Sequence, residues 1–272
     1  NQLIKKKYKI FPYDVNKKNI NRFYNFNKII KFKSPNSLEK IDCVILMVPS
    51  SKEVNEIIFK KNKLNTKLRK NSFIIDMSTS VPTETLKIGK KLKKKSINFY
   101  DCPVAGGVKF AKTGELSLFF GGTKKNNEIS KVLKCFGKII WCGKLGSGHS
   151  IKALNNFINA SILNTYLEAI TTAIKFGIKK RYLLNAIDQA TTGKNHPYFK
   201  KIKDGILVNK LNSGFTLNLL TKDVSIANDL IKKYTKKSPI SSNILKLLEL
   251  SKKRLGKNSD QLNLYKMWSN KI

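Results

Sequence analysis

The spacing of short apolar segments constrains the fold of this chain more than any other feature of its sequence. Within the first 145 residues, apolar runs alternate with lysine-rich stretches of ten to twenty residues that have a helical pattern. The run 43–49 is continuously apolar and ends at a proline, which is typical of a strand buried on both faces. Strands separated by helices imply right-handed crossovers, and we therefore predict an α/β fold with a mostly parallel sheet. The predicted strands are 8–15, 43–49, 73–77, 97–101, 116–122 and 138–142, with helices at 51–61 and 83–95.

The character of the chain changes after residue 146. Residues 149–176 contain no proline or glycine, and their apolar positions recur every three to four residues. This periodicity predicts one helix of about 40 Å. The later segments 181–189, 215–233 and 240–254 also have a helical pattern, and no convincing strand pattern follows residue 145. We therefore predict an α/β domain over residues 1–146 and an all-α domain over residues 147–272.

The charge of the chain is strongly positive, with 54 Lys and Arg residues against 17 Asp and Glu and a formal net charge of +37. Such a balance suggests a nucleic acid or an anionic membrane as partner. Only four of the 54 are arginines, however, and arginine is the residue whose forked geometry suits phosphates and bases. The abundant Lys, Asn and Ile all have A/T-rich codons. We therefore attribute the charge to gene composition and expect no specific nucleic-acid partner, although a basic nucleic-acid-binding or scaffolding protein stays as an alternative.

Two further features bear on the class of protein. The most apolar long segment, 157–178, includes Glu168 and Lys175, which favours a buried helix over a membrane span. The four cysteines, at 43, 102, 135 and 142, lack the spacing of a zinc site, and the two histidines are far apart. We expect no bound metal and no membrane partner. This cysteine usage is typical of a reducing compartment, which suggests the cytoplasm.

Asp14 ends the first predicted strand. In Rossmann-type βαβ units an acid at such a strand end accepts hydrogen bonds from a ribose diol, about 20 residues after a glycine-rich phosphate loop. The sequence has no G-x-G-x-x-G, and counting back that far from Asp14 passes residue 1. We therefore expect that the first strand and its glycine loop are missing from this chain. A chain without that loop is expected to bind a dinucleotide weakly or not at all.

A glycine pair follows the predicted strand 97–101. Ligands bind at the carboxyl ends of parallel strands, and Gly106 and Gly107 would let backbone N–H groups approach an anion closely. An ordinary turn is the alternative interpretation of this pair.

Two further motifs place polar residues on apolar helices. Lys152 and Asn156 are four residues apart and therefore share one helix face near the predicted domain junction, where small molecules often bind. A lysine desolvated in such a place is suited to proton transfer, whereas a solvated pair is the alternative. His149 belongs either to the site or to the helix start. Lys222 and Asp223 interrupt an apolar helix face, and we expect them to form a local salt bridge or to be functional.

Taken in order, these motifs resemble the β-hydroxyacid dehydrogenase family over residues 3–268. The family patterns are D-x-P-V-S-G-G, G-x-G-x-x-x-K-x-x-N-N and F-x-x-x-L-x-x-K-D, which correspond to residues 101–107, 146–156 and 215–223. The family's Y-D-V strand end, L-P turn and S-T turn correspond to residues 13–15, 48–49 and 78–79, where valine stands in place of the leucine. Ala105 departs from the pattern, because the family has a serine there whose hydroxyl helps to hold the substrate.

The resemblance implies an NAD-binding Rossmann-type domain followed by a helical dehydrogenase domain. It implies hydride transfer between NAD and a small 3-hydroxy acid of the 3-hydroxyisobutyrate or 2-hydroxy-3-oxopropionate type. Lys152 would be the general acid/base. The implied substrate-binding residues are Ala105, Gly106, Gly107 and Asn156. The implied cofactor-binding residues are Asp14, Val48, Pro49, Thr79 and Lys222, with Asp223 orienting Lys222.

Several points of specificity stay open within this resemblance. Asp14 favours NAD over NADP because a 2′-phosphate would meet a carboxylate there, whereas Lys17 and Lys18 would soften that preference. Ala105 suggests a substrate other than 3-hydroxyisobutyrate. An NADPH-dependent reductase of glyoxylate or succinic semialdehyde is an alternative. The family associates through its helical domains, so the resemblance implies a homodimer or homotetramer whose partner is a small carboxylate substrate.

Overall fold

The computed structural model describes residues 2–21, 38, 40–122, 127–190, 197–208, 210–236 and 238–269. The chain divides into two compact units, residues 1–152 and residues 153–272. The division falls inside a long helix, whereas the sequence pattern places the domain boundary before that helix, and the boundary at residue 146 stays a prediction.

The first unit contains all the strands of the described residues. They are β1 (Cys43–Leu46), β2 (Phe73–Asp76), β3 (Asn98–Asp101), β4 (Val104–Ala105), β5 (Leu116–Gly121) and β6 (Gly137–Gly143). The helices of this unit are α1 (Gln2–Lys5), α2 (Lys17–Asn21), α3 (Ser51–Glu56) with a π-helical continuation Ile57–Lys61, α4 (Leu64–Lys67), α5 (Pro82–Lys93), α6 (Gly107–Thr113) and α7 (Asn127–Leu133). The long helix α8 (Ser147–Lys175) begins here.

The sheet is mixed, which means that it contains both parallel and antiparallel pairs of strands. Strand order is β1-β2-β3-β5-β4, and β6 pairs with β5. The pairings β1–β2, β2–β3 and β5–β6 are parallel, whereas β3–β5 and β4–β5 are antiparallel. The Rossmann-type α/β prediction is confirmed. The two antiparallel pairings arise because β5 turns back along β3 and β4.

Both faces of the sheet are covered by apolar side chains. Ile74 belongs to a core with Leu92, and the next residue, Ile75, belongs to a separate core with Leu118 and Leu133. Successive residues of a strand point to opposite faces, so both faces of β2 are buried. This confirms the interpretation of the continuous apolar runs as doubly buried strands.

The predicted strand over residues 8–15 is wrong. A single bridge residue, Ile10, is the only β-structure in this segment, and residues 11–14 are coil. Pro12 lacks the N–H group that a ladder needs, which explains why an apolar segment does not extend into a strand here. Asp14 therefore lies in a loop before α2 rather than at a strand end.

The second unit is helical, and the described residues contain no strand after Gly143. It consists of the rest of α8, then α9 (Lys180–Gln189), α10 (Pro197–Leu207), α11 (Leu217–Thr235), α12 (Pro239–Leu255), a 3-10 turn (Gln261–Asn263) and α13 (Leu264–Ser269). The predicted helices correspond to α8, α9, α11 and α12. The core of this unit packs around Leu163, Leu167 and Leu184. No helix in the described part of the chain has the length and apolar composition needed to span a bilayer.

Candidate active site

The loops after β1 and β2 are tied together by one serine. Ser78 Oγ accepts a hydrogen bond from the Val48 N–H at 2.9 Å. The buried Asp76 carboxylate accepts from Ser78 N at 2.9 Å and from Ser80 Oγ at 2.7 Å, which fixes the shape of the second loop. Val48 and Thr79, two of the residues that the resemblance assigns to the cofactor, therefore lie on loops that a direct hydrogen bond connects.

Gly106 and Gly107 need to be glycines for conformational reasons. Their φ angles are +128° and +71°, which L side chains rarely adopt. A Cβ on Gly106 would also lie 3.0 Å from the Cβ of Phe110. Ala105 ends β4 and pairs with Ser117 of β5. Three of the four residues that the resemblance assigns to the substrate are thus consecutive, and two of these three have a backbone conformation that only glycine adopts easily.

The carboxylate of Asp101 anchors the start of α8. Its Oδ1 accepts from the Gly146 N–H at 2.7 Å, and its Oδ2 accepts from the His149 N–H at 2.8 Å. Burial raises the pKa of Asp101, and the nearby His149 and the two N–H donors oppose that shift in part. The last residue of β3 therefore holds the first turn of the helix that carries Lys152.

His149 supports this helix start and is completely buried. Its Nδ1 lies 2.8 Å from Thr85 Oγ1, and its Nε2 lies 3.1 Å from the carbonyl oxygen of Ser78. A carbonyl oxygen can only accept, so Nε2 carries the proton. Of the two roles that the sequence left open for His149, the contacts support the one at the helix start.

Lys152 and Asn156 lie one helical turn apart on α8, and each is only 7% exposed. A chain with 54 basic residues has most of them in solvent, so a buried lysine is unusual here. The solvated-surface interpretation of this pair is therefore wrong. Among the lysines whose burial the structure describes, Lys152 is the one classed as buried.

A buried polar network in the second unit includes Asn156, Asp223 and Lys222. The Asn156 Nδ2 donates to Asp223 Oδ2 at 2.5 Å, and Lys222 Nζ lies 3.7 Å from Asp223 Oδ1. Asp223 is 2% exposed, whereas the Lys222 side chain is 29% exposed. The sequence pattern linked Asp223 to Lys222 and missed its hydrogen bond with Asn156. Asn156 and Asp223 each interrupt an apolar helix face in the sequence, and this shared feature is the signal that could have linked them.

Asp14 forms a compact turn of its own. Its Oδ1 accepts from the Asn16 N–H at 2.8 Å and its Oδ2 accepts from Asn19 Nδ2 at 3.1 Å. These hydrogen bonds lower the pKa of Asp14, so it is ionised at neutral pH. Each carboxylate oxygen retains a lone pair that a ribose hydroxyl could use.

Two family models together match almost all of the chain. The NAD binding domain of 6-phosphogluconate dehydrogenase matches residues 1–144. The NAD-binding domain of NADP-dependent 3-hydroxyisobutyrate dehydrogenase matches residues 146–268.

Individual relatives agree with these matches. Mitochondrial 3-hydroxyisobutyrate dehydrogenase of Rattus norvegicus is 30% identical over 236 residues, which cover 84% of this chain and 70% of that protein. The 2-(hydroxymethyl)glutarate dehydrogenase of Eubacterium barkeri is 25% identical over 229 residues, covering 84% and 76%. The structure of 3-hydroxyisobutyrate dehydrogenase from Salmonella typhimurium has the same fold, with a TM-score of 0.81, 16% identity and coverage of 98% and 93%. The chain belongs to the β-hydroxyacid dehydrogenase family of NAD(P)-dependent 3-hydroxyacid dehydrogenases.

Proposed function

We propose that this protein transfers a hydride between NAD and a small 3-hydroxy acid, with Lys152 as general acid/base. The observation that carries the proposal is the burial of Lys152, one turn before Asn156 on α8. Two relatives are named for 3-hydroxyisobutyrate and 2-(hydroxymethyl)glutarate. Both compounds carry a hydroxymethyl group on the carbon beside a carboxylate, and this is the substrate class that we propose.

Lys152 moves the proton in this scheme. In the oxidation direction its amine takes the proton of the substrate hydroxyl, and in the reduction direction its ammonium protonates the carbonyl oxygen. Asn156 donates one amide N–H to Asp223 and keeps the second for the same substrate oxygen. Asp223 is a positioning residue in this scheme, because it acts on the substrate only through Asn156 and Lys222.

The glycine pair holds the other end of the substrate. The backbone N–H groups of Gly106 and Gly107 bind the substrate carboxylate, in a conformation that positive φ angles make accessible. Ala105 adds no hydroxyl at this point, in contrast to the serine of the family pattern.

The nicotinamide cofactor supplies or accepts the hydride when it is bound. The ionised, half-buried carboxylate of Asp14 suits the two hydroxyls of an NAD ribose and repels the 2′-phosphate of NADP. Val48, Pro49 and Thr79 would line the cofactor cleft, and Lys222 would present its charge to the cofactor. The positive charge of Lys18, four residues after Asp14, weakens the preference for NAD over NADP. An NADPH-dependent reductase of glyoxylate or succinic semialdehyde is therefore the second candidate.

We also propose a cytoplasmic location and a homo-oligomer formed through the helical unit. All four cysteines are free thiols, which supports a reducing compartment. The helical unit exposes large apolar side chains, including Phe176, Tyr182 and Ile158. Such groups on a surface support association with a second copy, and light scattering of the purified protein tests it.

The absorbance of the reduced cofactor tests the activity on the full-length protein. Hydroxyisobutyrate, 2-(hydroxymethyl)glutarate and glycerate carry the proposed hydroxymethyl group, whereas threonate and hydroxybutyrate do not, and each acid is offered with NAD and with NADP. We expect turnover of at least one of the first three acids and a decrease of about 100-fold or more in Lys152→Ala. Lys144→Ala, an exposed lysine near the start of α8, is the matched control. Unchanged turnover in Lys152→Ala would refute its acid/base role, and silence across the panel would refute the substrate class.

A further inference from the structure

We propose that Ser117 is a substrate-binding residue that supplies the hydroxyl which Ala105 lacks. The hydroxyl of Ser117 would donate to the substrate carboxylate beside Gly106 and Gly107. The inference rests on the proposed function, and the residues that carry it all lie within residues 1–152, one compact unit.

Ser117 stands directly across from Ala105. The two residues are paired in the antiparallel β4–β5 ladder. Opposite residues in such a ladder have Cβ atoms about 5 Å apart on the same face of the sheet. The adjacent pair points the other way, because Leu118 is fully buried in a core against which Val104 packs. Ser117 and Ala105 therefore share the face that is turned away from this core.

The start of α8 lies on the same face. Asp101 pairs with Gly121 across β3 and β5, and a Cβ on Gly121 would collide with the Asp101 carboxylate. That carboxylate binds the N–H groups of Gly146 and His149 at the start of α8. Side chains alternate along a strand, so positions 121 and 117 of β5 face the same side. Ser117 thus points to the side of the sheet on which the catalytic helix begins.

The helix runs along β5 toward Ser117. Gly146 is held by the Asp101 carboxylate at the level of Gly121, and a Cβ on Gly148 would collide with the carbonyl oxygen of Phe119. Lys152 lies four residues beyond Gly148, about 6 Å along the helix axis. Ser117 lies two residues back along the strand from Phe119, which is about 7 Å. Lys152 is therefore brought to the level of Ser117.

The hydroxyl of Ser117 is available to a ligand. The residue is half-buried, and no group in the described part of the chain hydrogen-bonds its Oγ. A hydroxyl can donate to a carboxylate and accept from a hydroxyl, so it suits either polar end of a small hydroxy acid. The hydroxyl of Ser117 on β5 lies on the same face of the sheet as a serine hydroxyl at position 105 of β4 would. The two positions are about one strand spacing apart.

Reciprocal substitution tests the proposal in the cofactor-absorbance assay. We expect Ser117→Ala to raise KM for the hydroxy acid about 10- to 100-fold, as loss of a hydrogen bond to a charged group does, and to leave KM for NAD within about twofold. Adding Ala105→Ser to Ser117→Ala is expected to bring KM for the hydroxy acid back to within about threefold of the original value. A merely structural serine would show no such rescue. Ser130→Ala, a half-buried serine on α7, is the matched control.

The outcomes separate this inference from the proposed function. An unchanged KM for the hydroxy acid in Ser117→Ala, with turnover still abolished in Lys152→Ala, would overturn the role of Ser117 alone. A raised KM without rescue by Ala105→Ser would also overturn it, because the hydroxyl would not be the group that matters. Absence of turnover in the unaltered protein would overturn both proposals. Thermal unfolding of each variant verifies that it is folded.

Discussion

Asp223 Oδ2 accepts a hydrogen bond from Asn156 Nδ2 at 2.5 Å, and both residues are buried. A carboxylate can only accept, so the amide of Asn156 must present its nitrogen to Asp223. The orientation of Asn156 is thereby set by a residue that lies 67 positions later in the chain.

We expect Asp223→Ala to lower kcat about tenfold and to reduce the free energy of unfolding by about 1–3 kcal/mol, because a buried amide loses its charged acceptor. Steady-state kinetics and urea denaturation measure the two effects. Asp229→Asn, an exposed carboxylate on the same helix, is the matched control and is expected to change neither. Equal effects from both substitutions would mean that the hydrogen bond with Asn156 has no special role.

Gly148 has no room for a side chain, since a Cβ there would collide with the carbonyl oxygen of Phe119. We expect Gly148→Ala to destabilise the protein by about 3 kcal/mol or more and to displace Lys152, because strand backbone cannot yield as a side chain can. Gly205→Ala on α10 is the control, because its Cβ would meet nothing closer than a Leu262 methyl at 3.2 Å and the Lys210 carbonyl oxygen at 3.3 Å, which are tight contacts but not collisions. A Gly148→Ala protein with unchanged stability and activity would contradict the close packing of α8 on β5.

Asp101 gives the stability of the protein a defined pH dependence. Burial raises its pKa in the folded state, so the folded protein binds this proton more tightly than the unfolded chain does. The resulting stabilisation is complete below the unfolded value, about pH 4, and is lost as the pH rises through the raised pKa.

The comparison with Asp101→Asn isolates the contribution of Asp101 titration to the stability, because asparagine does not titrate. We expect the stability of the unaltered protein, relative to Asp101→Asn, to decrease as the pH rises from about 4. Urea denaturation at several pH values measures it. A relative stability that increases with pH would show that His149, 3.7 Å away, and the two N–H donors outweigh burial.

Asp14 is expected to set the cofactor preference. We predict that Asp14→Asn raises the ratio of kcat/KM for NADP to kcat/KM for NAD about tenfold or more, because it removes the negative charge that a 2′-phosphate would meet. Asp42→Asn, an exposed aspartate elsewhere in the same unit, controls for the general change in charge. A ratio that moves equally in both variants would argue against contact between Asp14 and the ribose.

The formal charge of +37 is expected to cause only nonspecific binding to nucleic acid. Fluorescence anisotropy with a labelled DNA duplex should show binding at low salt that disappears by about 0.15 M salt, because counterion release drives it. Binding that survives at this salt concentration would favour the nucleic-acid alternative.

Local pattern was enough for most of the secondary structure. The doubly buried strands, the long helix α8 and the helices α9, α11 and α12 were all predictable, because hydrophobic periodicity reflects neighbours close in sequence. The same holds for the polar pair Lys152 and Asn156, since residues four apart share a helix face whatever the tertiary structure. The segment 8–15 is the exception, because its apolar residues have strand character and yet no ladder forms beyond Ile10.

Contacts between residues distant in sequence decided the rest. Asp101 and Gly146 lie 45 positions apart, and only the folded sheet brings that carboxylate to the start of α8. The antiparallel turn of β5 places Ser117 opposite Ala105, a pairing that no local periodicity encodes. The sequence by itself therefore determined which residues are apolar, which lie in helices, and which have side chains able to bind a ligand or transfer a proton. Tertiary structure decided which of them meet, because burial and hydrogen-bond partners depend on the packing of the whole unit.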